Sequence, residues 1–188
     1  YLGLENGYPI GTDINNLELF YKRGIRYITL CHMTNNEICD SSNDTTEYGG
    51  LSPFGLKVIK RMNQLGMMVD ISHSSEATVE QAVASSRAPV IASHSCSKAM
   101  CDNPRNLSDS LLTLIAAKGG VVQMCLLSDY ITPDPPQEGR DSAQAVLKQK
   151  WKDIDRQTDT NREAYRLELS ELNRNFPRVL PSVADAVD

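Results

Sequence analysis

The chain has 188 residues, 40% of them hydrophobic and 23% charged, with a formal net charge of −5. That length can bury one substantial core, and the composition is ordinary for a soluble globular protein. The negative balance offers no footprint for nucleic acid or an anionic membrane surface, and no apolar run approaches the roughly 20 residues of a membrane span. No signal peptide is visible, and the compartment, cytoplasm or periplasm, stays open. The five cysteines are odd in number and lack a CxxC pair, so they form no disulfide framework. Cys31, Cys96 and Cys125 lie in or just after strand-like runs, where a free thiol packs as a small hydrophobe. Cys96 and Cys101 share one loop and could pair or bind metal.

Taken in order, Tyr1–Leu4 is an apolar run that meets Glu5, followed by a turn holding Asn6, Gly7 and Pro9. Thr12 is placed to cap a helix with Ile14, Leu17 and Phe20 on one face and Gly24 as its stop. The run RYITLC, residues 26–31, predicts a strand ending at His32. Residues 35–50 are polar and read as a long surface loop. Ser52 and Pro53 begin the next helix, as cap and first position, with Leu56, Ile59, Met62 and Leu65 as its buried stripe and Gly66 at its end. Residues 67–71 form a strand ending in Ser72-His73. Ser74 or Ser75 then caps a helix carrying Val79, Ala82 and Val83, and residues 89–92 form a strand ending in Ser93-His94. After a loop with Asn103-Pro104-Arg105-Asn106, Ser108 caps a helix with Leu111, Leu112 and Ile115 inward. VVQMCLL, residues 121–127, is the last strand, followed by Ser128, Asp129 and Tyr130. Strands alternating with helices predict a parallel sheet and an α/β fold.

The pattern changes after Thr132. Pro133, Pro135 and Pro136 break regular structure. Two amphipathic helices follow, with Ala145, Leu147, Trp151 and Ile154 on the first and Tyr165, Leu167, Leu169 and Leu172 on the second. We read residues 133–176 as a helical insertion into one partial barrel domain spanning 1–188, with an apolar pattern resuming at 179–188. Five strands and four crossover helices do not close a (β/α)₈ barrel, which needs about 250 residues. The sequence is therefore expected to be part of a larger domain and inactive on its own.

In parallel α/β folds the chemistry lies beyond the carboxyl ends of the strands. Glu5, His32, His73, His94 and Tyr130 each follow an apolar run there, and the chain's three histidines are all among them. One histidine at a strand end is usually a hydrogen-bonded or half-exposed residue, but three in equivalent places argue for a shared metal site. A carboxylate with two histidines is a zinc set with room for water, and zinc lowers the pKa of that water to about 7. The pattern points to a metal-dependent hydrolase on an α/β barrel. There is no HExxH, GxSxG, P-loop or GxGxxG. The adjacent pairs Ser72-His73 and Ser93-His94 should point to opposite faces of their strands, which disfavours a serine triad.

These residues carry a resemblance. GLENG (3–7), YITLCH (27–32), GLSPFG (50–55), DISHSS (70–75), VIASHS (90–95) and NPRN (103–106) resemble, in order and spacing, the zinc-dependent membrane (renal) dipeptidase family, in a bacterial-type member with a helical insertion. The likeness runs from Tyr1 to about Tyr130. It implies a (β/α)₈ barrel holding two zinc ions and a dipeptide substrate, with a homodimer left open. It implies Glu5 as the bridging metal ligand, His73 and His94 as ligands completing one metal, and His32 stabilising the oxyanion. Arg105 would hold the substrate's terminal carboxylate, and Tyr130 would line the substrate site. The family's His-x-Asp after its first strand, and a late-strand aspartate, have no counterpart in these residues. Asp70 carries no assigned role.

Three functions follow. The first is a zinc dipeptidase using an activated hydroxide. The second is a related barrel amidohydrolase acting on another amide, for which Arg105 would have no partner. The third is a non-catalytic ligand-binding barrel, against which the joint presence of Glu5, His32, His73, His94 and Arg105 argues.

Overall fold

In the computed structural model, which describes residues 1–132, 138–155 and 157–177, five strands form one all-parallel sheet in the order β1-β2-β3-β4-β5. They are β1 (Leu2–Leu4), β2 (Ile25–Thr29), β3 (Met68–Asp70), β4 (Ile91–Ser95) and β5 (Val121–Met124). Each crossover carries a helix: α1 (Asn16–Lys22), α2 (Pro53–Leu65), α3 (Glu76–Ser85) and α4 (Asp109–Ala117). Sequential strands that pair side by side in parallel, each through a helix, are the repeating unit of a (β/α)₈ barrel, here present as a partial barrel. A short helix, α5 (Ser128–Ile131), follows β5.

The chain divides into two compact units, residues 1–132 and 133–188. In the first, Ile28, Val69 and Ala92 of adjacent strands are fully buried against helix residues such as Val58, Ile59, Val79 and Ile115. On the opposite face of the sheet Tyr27, Met68, Ile91 and Val121 line a cavity of about 410 Å³. In the second unit α6 (Glu138–Lys150) and α7 (Asp159–Asn175) bury Leu147, Trp151 and Leu172 in a small core of their own. Ala145 and Leu167, expected on the apolar stripes, are exposed instead, and so is Ile154. Ala143, Ala164, Tyr165 and Leu169 pack around the three buried side chains. Residues 179–188, where an apolar pattern was expected to resume, lie outside the described residues. Among the described residues no helix is long and apolar enough to cross a membrane.

Helix starts follow side-chain chemistry more closely than periodicity. Ser52 caps α2 by accepting from Gly55 N (2.9 Å), and Ser75 caps α3 by accepting from Thr78 N (3.2 Å). Thr12 is not the cap of α1. Asp13 Oδ1 accepts from Asn15 N (2.9 Å), a local turn that delays the helix until Asn15 stands at the cap. In α2 the buried face is Gly55, Val58, Ile59 and Met62, whereas Leu56 is 48% exposed and Leu65 half-buried. The reason is Gly55. A Cβ there would lie 2.1 Å from the Ile38 carbonyl oxygen, so the helix docks on its glycine and turns Leu56 outward. β5 stops at Met124, and Leu126 and Leu127 are exposed beyond it.

The loop at residues 35–50 is long, yet it is tied to one buried side chain. Asp40 Oδ1 accepts from Glu47 N and Tyr48 N (3.1 and 3.0 Å), and Oδ2 from Tyr48 N and Gly50 N (3.2 and 2.9 Å). Asp40→Ala leaves three backbone donors without an acceptor in a partly buried setting. The expected loss is about 2–4 kcal/mol in urea unfolding; a loss below about 1 kcal/mol would show that the loop does not depend on this carboxylate.

Candidate metal centre

Glu5 directly follows β1. Behind it Asn6 takes a left-handed backbone (φ 77°), which Asn tolerates better than most residues. Its Oδ1 accepts from Tyr8 N (3.0 Å) and Asn36 Nδ2 (3.2 Å). Gly7 then passes so close to the core that a Cβ would meet the Leu30 carbonyl oxygen at 2.7 Å. The turn is thereby fixed, and Glu5 stands at the carboxyl end of the sheet.

His73 lies past the end of β3 with φ 70°, a conformation that costs a non-glycine residue on the order of 1–3 kcal/mol and needs support from its surroundings. The support is visible at its carbonyl oxygen, which accepts from Ser42 N (2.8 Å), Ser41 Oγ (3.3 Å) and Cys31 Sγ (3.7 Å). Ser41 Oγ shares its one proton between this carbonyl and that of His32, the nearer at 2.6 Å. One serine thus ties the ends of two successive strands together.

The side chains converge on a single oxygen. Glu5 Oε1 is 3.2 Å from His73 Nε2, 3.2 Å from His94 Nε2 and 3.6 Å from His32 Nε2. His73 Nε2 and His94 Nε2 are 2.9 Å apart, and the His32 and His73 rings lie 4.2 Å apart. Among the described residues Glu5, His32 and His73 have the spacing of a metal-holding group, and His94 joins them through Glu5 and His73. Zinc bonds of about 2.0–2.1 Å put ligand atoms about 3.3 Å apart along the edges of a tetrahedron. Glu5, His73 and His94 offer three such atoms at 2.9–3.2 Å, so the donor set fits a metal ion. The protonation state fits as well. His73 is only 5% exposed, and burial, with the nearby charge of Arg105 and of the other two histidines, pushes its pKa down to about 3. Neutral imidazole is the form that ligates.

Arg105 comes from the loop between β4 and α4. Asn103 Nδ2 donates to the Asp129 carbonyl (3.0 Å), Asn106 Nδ2 to that of Tyr130 (2.9 Å), and Asn103 Oδ1 accepts from Arg105 N (2.9 Å). These bonds staple the NPRN segment to α5. The guanidinium lies 5.6 Å over the Tyr130 ring and donates to the His94 carbonyl through Nη2 (3.3 Å). Arg105 is 6% exposed, its Nε has no partner among the described residues, and burial lowers its pKa. No carboxylate pairs with it among the described residues. Tyr130 sits in α5 rather than just after a strand, and it is buried.

The sequence profile of the family described as membrane dipeptidase (peptidase family M19) matches residues 1–162. The chain belongs to this family. It is 40% identical over 130 residues to Dipeptidase 3 of Rattus norvegicus and 41% identical over 136 residues to Dipeptidase verJ of Clonostachys rogersoniana. Those stretches are 66% and 72% of this chain but 27% and 35% of the relatives. The crystal structure of the probable dipeptidase PvdM from Pseudomonas aeruginosa superposes with a TM-score of 0.73 at 30% identity, over 94% of this chain and 50% of that one.

For this member of the dipeptidase family two corrections to the sequence reading concern β4 and the thiols. Ser93 and His94 were expected on opposite faces of a regular strand. Instead the β4–β5 register shifts between Ala92 and Ser95, a bulge that re-aims side chains, and Ser93 Oγ lies 2.7 Å from His94 Nδ1. Cys96 and Cys101 do not pair. Cys96 Sγ contacts Met100 Sδ and Cys101 Sγ donates to the Asp129 carbonyl, and all five cysteines are free. Cys31 and Cys96 are buried, while Cys125 is only half-buried.

Asp70 is the residue whose part was not foreseen. It is fully buried, and its carboxylate bonds Thr29 Oγ1 of β2 (2.6 Å), Ser72 N (3.1 Å), and Ser93 N and Oγ of β4 (2.9 and 2.5 Å). An ionisable residue inside an apolar strand was the one available signal.

Proposed function

We propose that the protein carrying this chain is a zinc-dependent dipeptidase, in which Glu5, His73 and His94 are metal ligands and Glu5 bridges two ions. The observation that carries this reading is the meeting of three histidine nitrogens within 3.6 Å of one carboxylate oxygen, Glu5 Oε1. All three contacts use Glu5 Oε1, so this carboxylate would be the ligand common to the site. Zinc, when bound, supplies a Lewis acid and a water of pKa about 7 as nucleophile. His32, the most exposed of the three histidines, is available to donate to the carbonyl oxygen as charge develops on it. Arg105 is a buried cation with no carboxylate partner among the described residues, and a substrate carboxylate would supply one in the planar geometry that a guanidinium suits. Tyr130, packed beneath that guanidinium, would wall the substrate site. We take α6 and α7 as an insertion into the barrel.

The test is hydrolysis of an unmodified dipeptide by the full-length protein before and after chelation. Activity should vanish with the chelator and return with zinc. Hydrolysis indifferent to chelation, or absent from zinc-loaded protein, would overturn the reading.

A further inference from the structure

Resting on the metal-site reading above, we infer that Asp70 and Ser93 form a relay that fixes the tautomer of His94 and so aims its Nε2 lone pair at the metal; both are positioning residues. The argument is one of hydrogen counting. A serine hydroxyl has one proton to give. Ser93 Oγ gives its proton to Asp70 Oδ2 at 2.5 Å, the shortest of its three contacts, the third being Ser72 Oγ at 3.4 Å. It can therefore face His94 Nδ1, at 2.7 Å, only as an acceptor. Nδ1 must carry a proton, and in the neutral imidazole that ligates a metal this leaves Nε2 bare where it faces Glu5 Oε1 and His73 Nε2.

Asp70 cannot turn away from this task. Thr29 Oγ1, Ser72 N and Ser93 N hold both of its oxygens from three directions. The ring is held at its backbone as well, since His94 N donates to Ser72 Oγ (3.0 Å). The bulge in β4 brings Ser93 onto the same side as its neighbour. His73 differs: its Nδ1 is buried with no partner among the described residues, and its position is set through its carbonyl instead. The relay thus acts on one imidazole and not the other.

The test reads zinc affinity by competition with a chromophoric chelator, using full-length protein. Ser93→Ala should weaken zinc binding about 10–100-fold, the scale of lost partners behind metal-ligating histidines. Ser93→Thr, which keeps the hydroxyl, should stay within about threefold of wild type on the same scale. Nitrogen-15 NMR of the metal-free wild type should find His94 as the Nδ1–H tautomer, a readout that needs no variant to fold. Zinc binding by Ser93→Ala equal to wild type, or a His94 protonated at Nε2, would overturn the relay while leaving the metal site standing. A wild type that binds no zinc would overturn the metal site and the relay together.

Discussion

His73→Ala is expected to abolish dipeptide hydrolysis and to release metal from the centre. His73 Nε2 lies within 3.2 Å of both Glu5 Oε1 and His94 Nε2, so its removal opens the donor set at its middle. Loss of a partner that merely supports a metal-ligating histidine costs about 10–100-fold; loss of the ligand itself should exceed that, giving at least a 100-fold fall in turnover. Folding should survive. The strained backbone at φ 70° is held by Ser42 N, Ser41 Oγ and Cys31 Sγ acting on the carbonyl, and alanine keeps that carbonyl. The variant also removes a buried Nδ1 that has no partner among the described residues, which offsets part of the lost packing. The check is steady-state hydrolysis beside urea unfolding. Activity within about tenfold of wild type would make His73 structural.

Arg105→Met is expected to produce a loss that depends on the substrate. Methionine keeps much of the side chain's length and its apolar contact with Tyr130, but not the charge. A hydrogen bond to a charged group contributes about 1.5–3 kcal/mol. A guanidinium that grips a carboxylate should therefore lower kcat/KM about 10- to 100-fold or more when removed. The same variant should change hydrolysis of a dipeptide amide by no more than about threefold, because that substrate has no carboxylate to lose. Loss of the donor to the His94 carbonyl is common to both substrates and cancels in their ratio. Equal losses on the two would assign Arg105 to holding the β4 end rather than the substrate, and would favour another amide as the natural target.

Much of this arrangement could be read from sequence because each donor follows its own short apolar run. Strand ends in a parallel sheet share one rim, so Glu5, His32, His73 and His94 could be placed together without knowing their distances. Ser52 and Pro53 marked one helix start, and Ser74 or Ser75 another, because capping is local chemistry. Apart from the α1 cap, displaced by the local Asp13 turn, what failed was set by contacts between distant segments. Leu56 turned outward because Gly55 meets the Ile38 carbonyl, a constraint invisible in helical spacing. The Ser93–His94 contact depends on a register shift against β5, and alternation along a strand predicted the opposite. Asp70 bonds residues of β2 and β4 at once, so its part depends on register across three strands. Tyr130 was placed just after the last apolar run, while the short α5 that carries it lies beyond a strand ending at Met124.

The central claim is that strand-end nitrogen and oxygen donors, not thiols, hold a metal ion. X-ray absorption at the zinc edge of the purified full-length protein tests it directly. The expected spectrum has nitrogen and oxygen scatterers at about 2.0–2.2 Å with an imidazole signature and no sulfur. Protein free of zinc, or a sulfur shell at about 2.3 Å, would contradict it and turn attention from the three histidines to the cysteines.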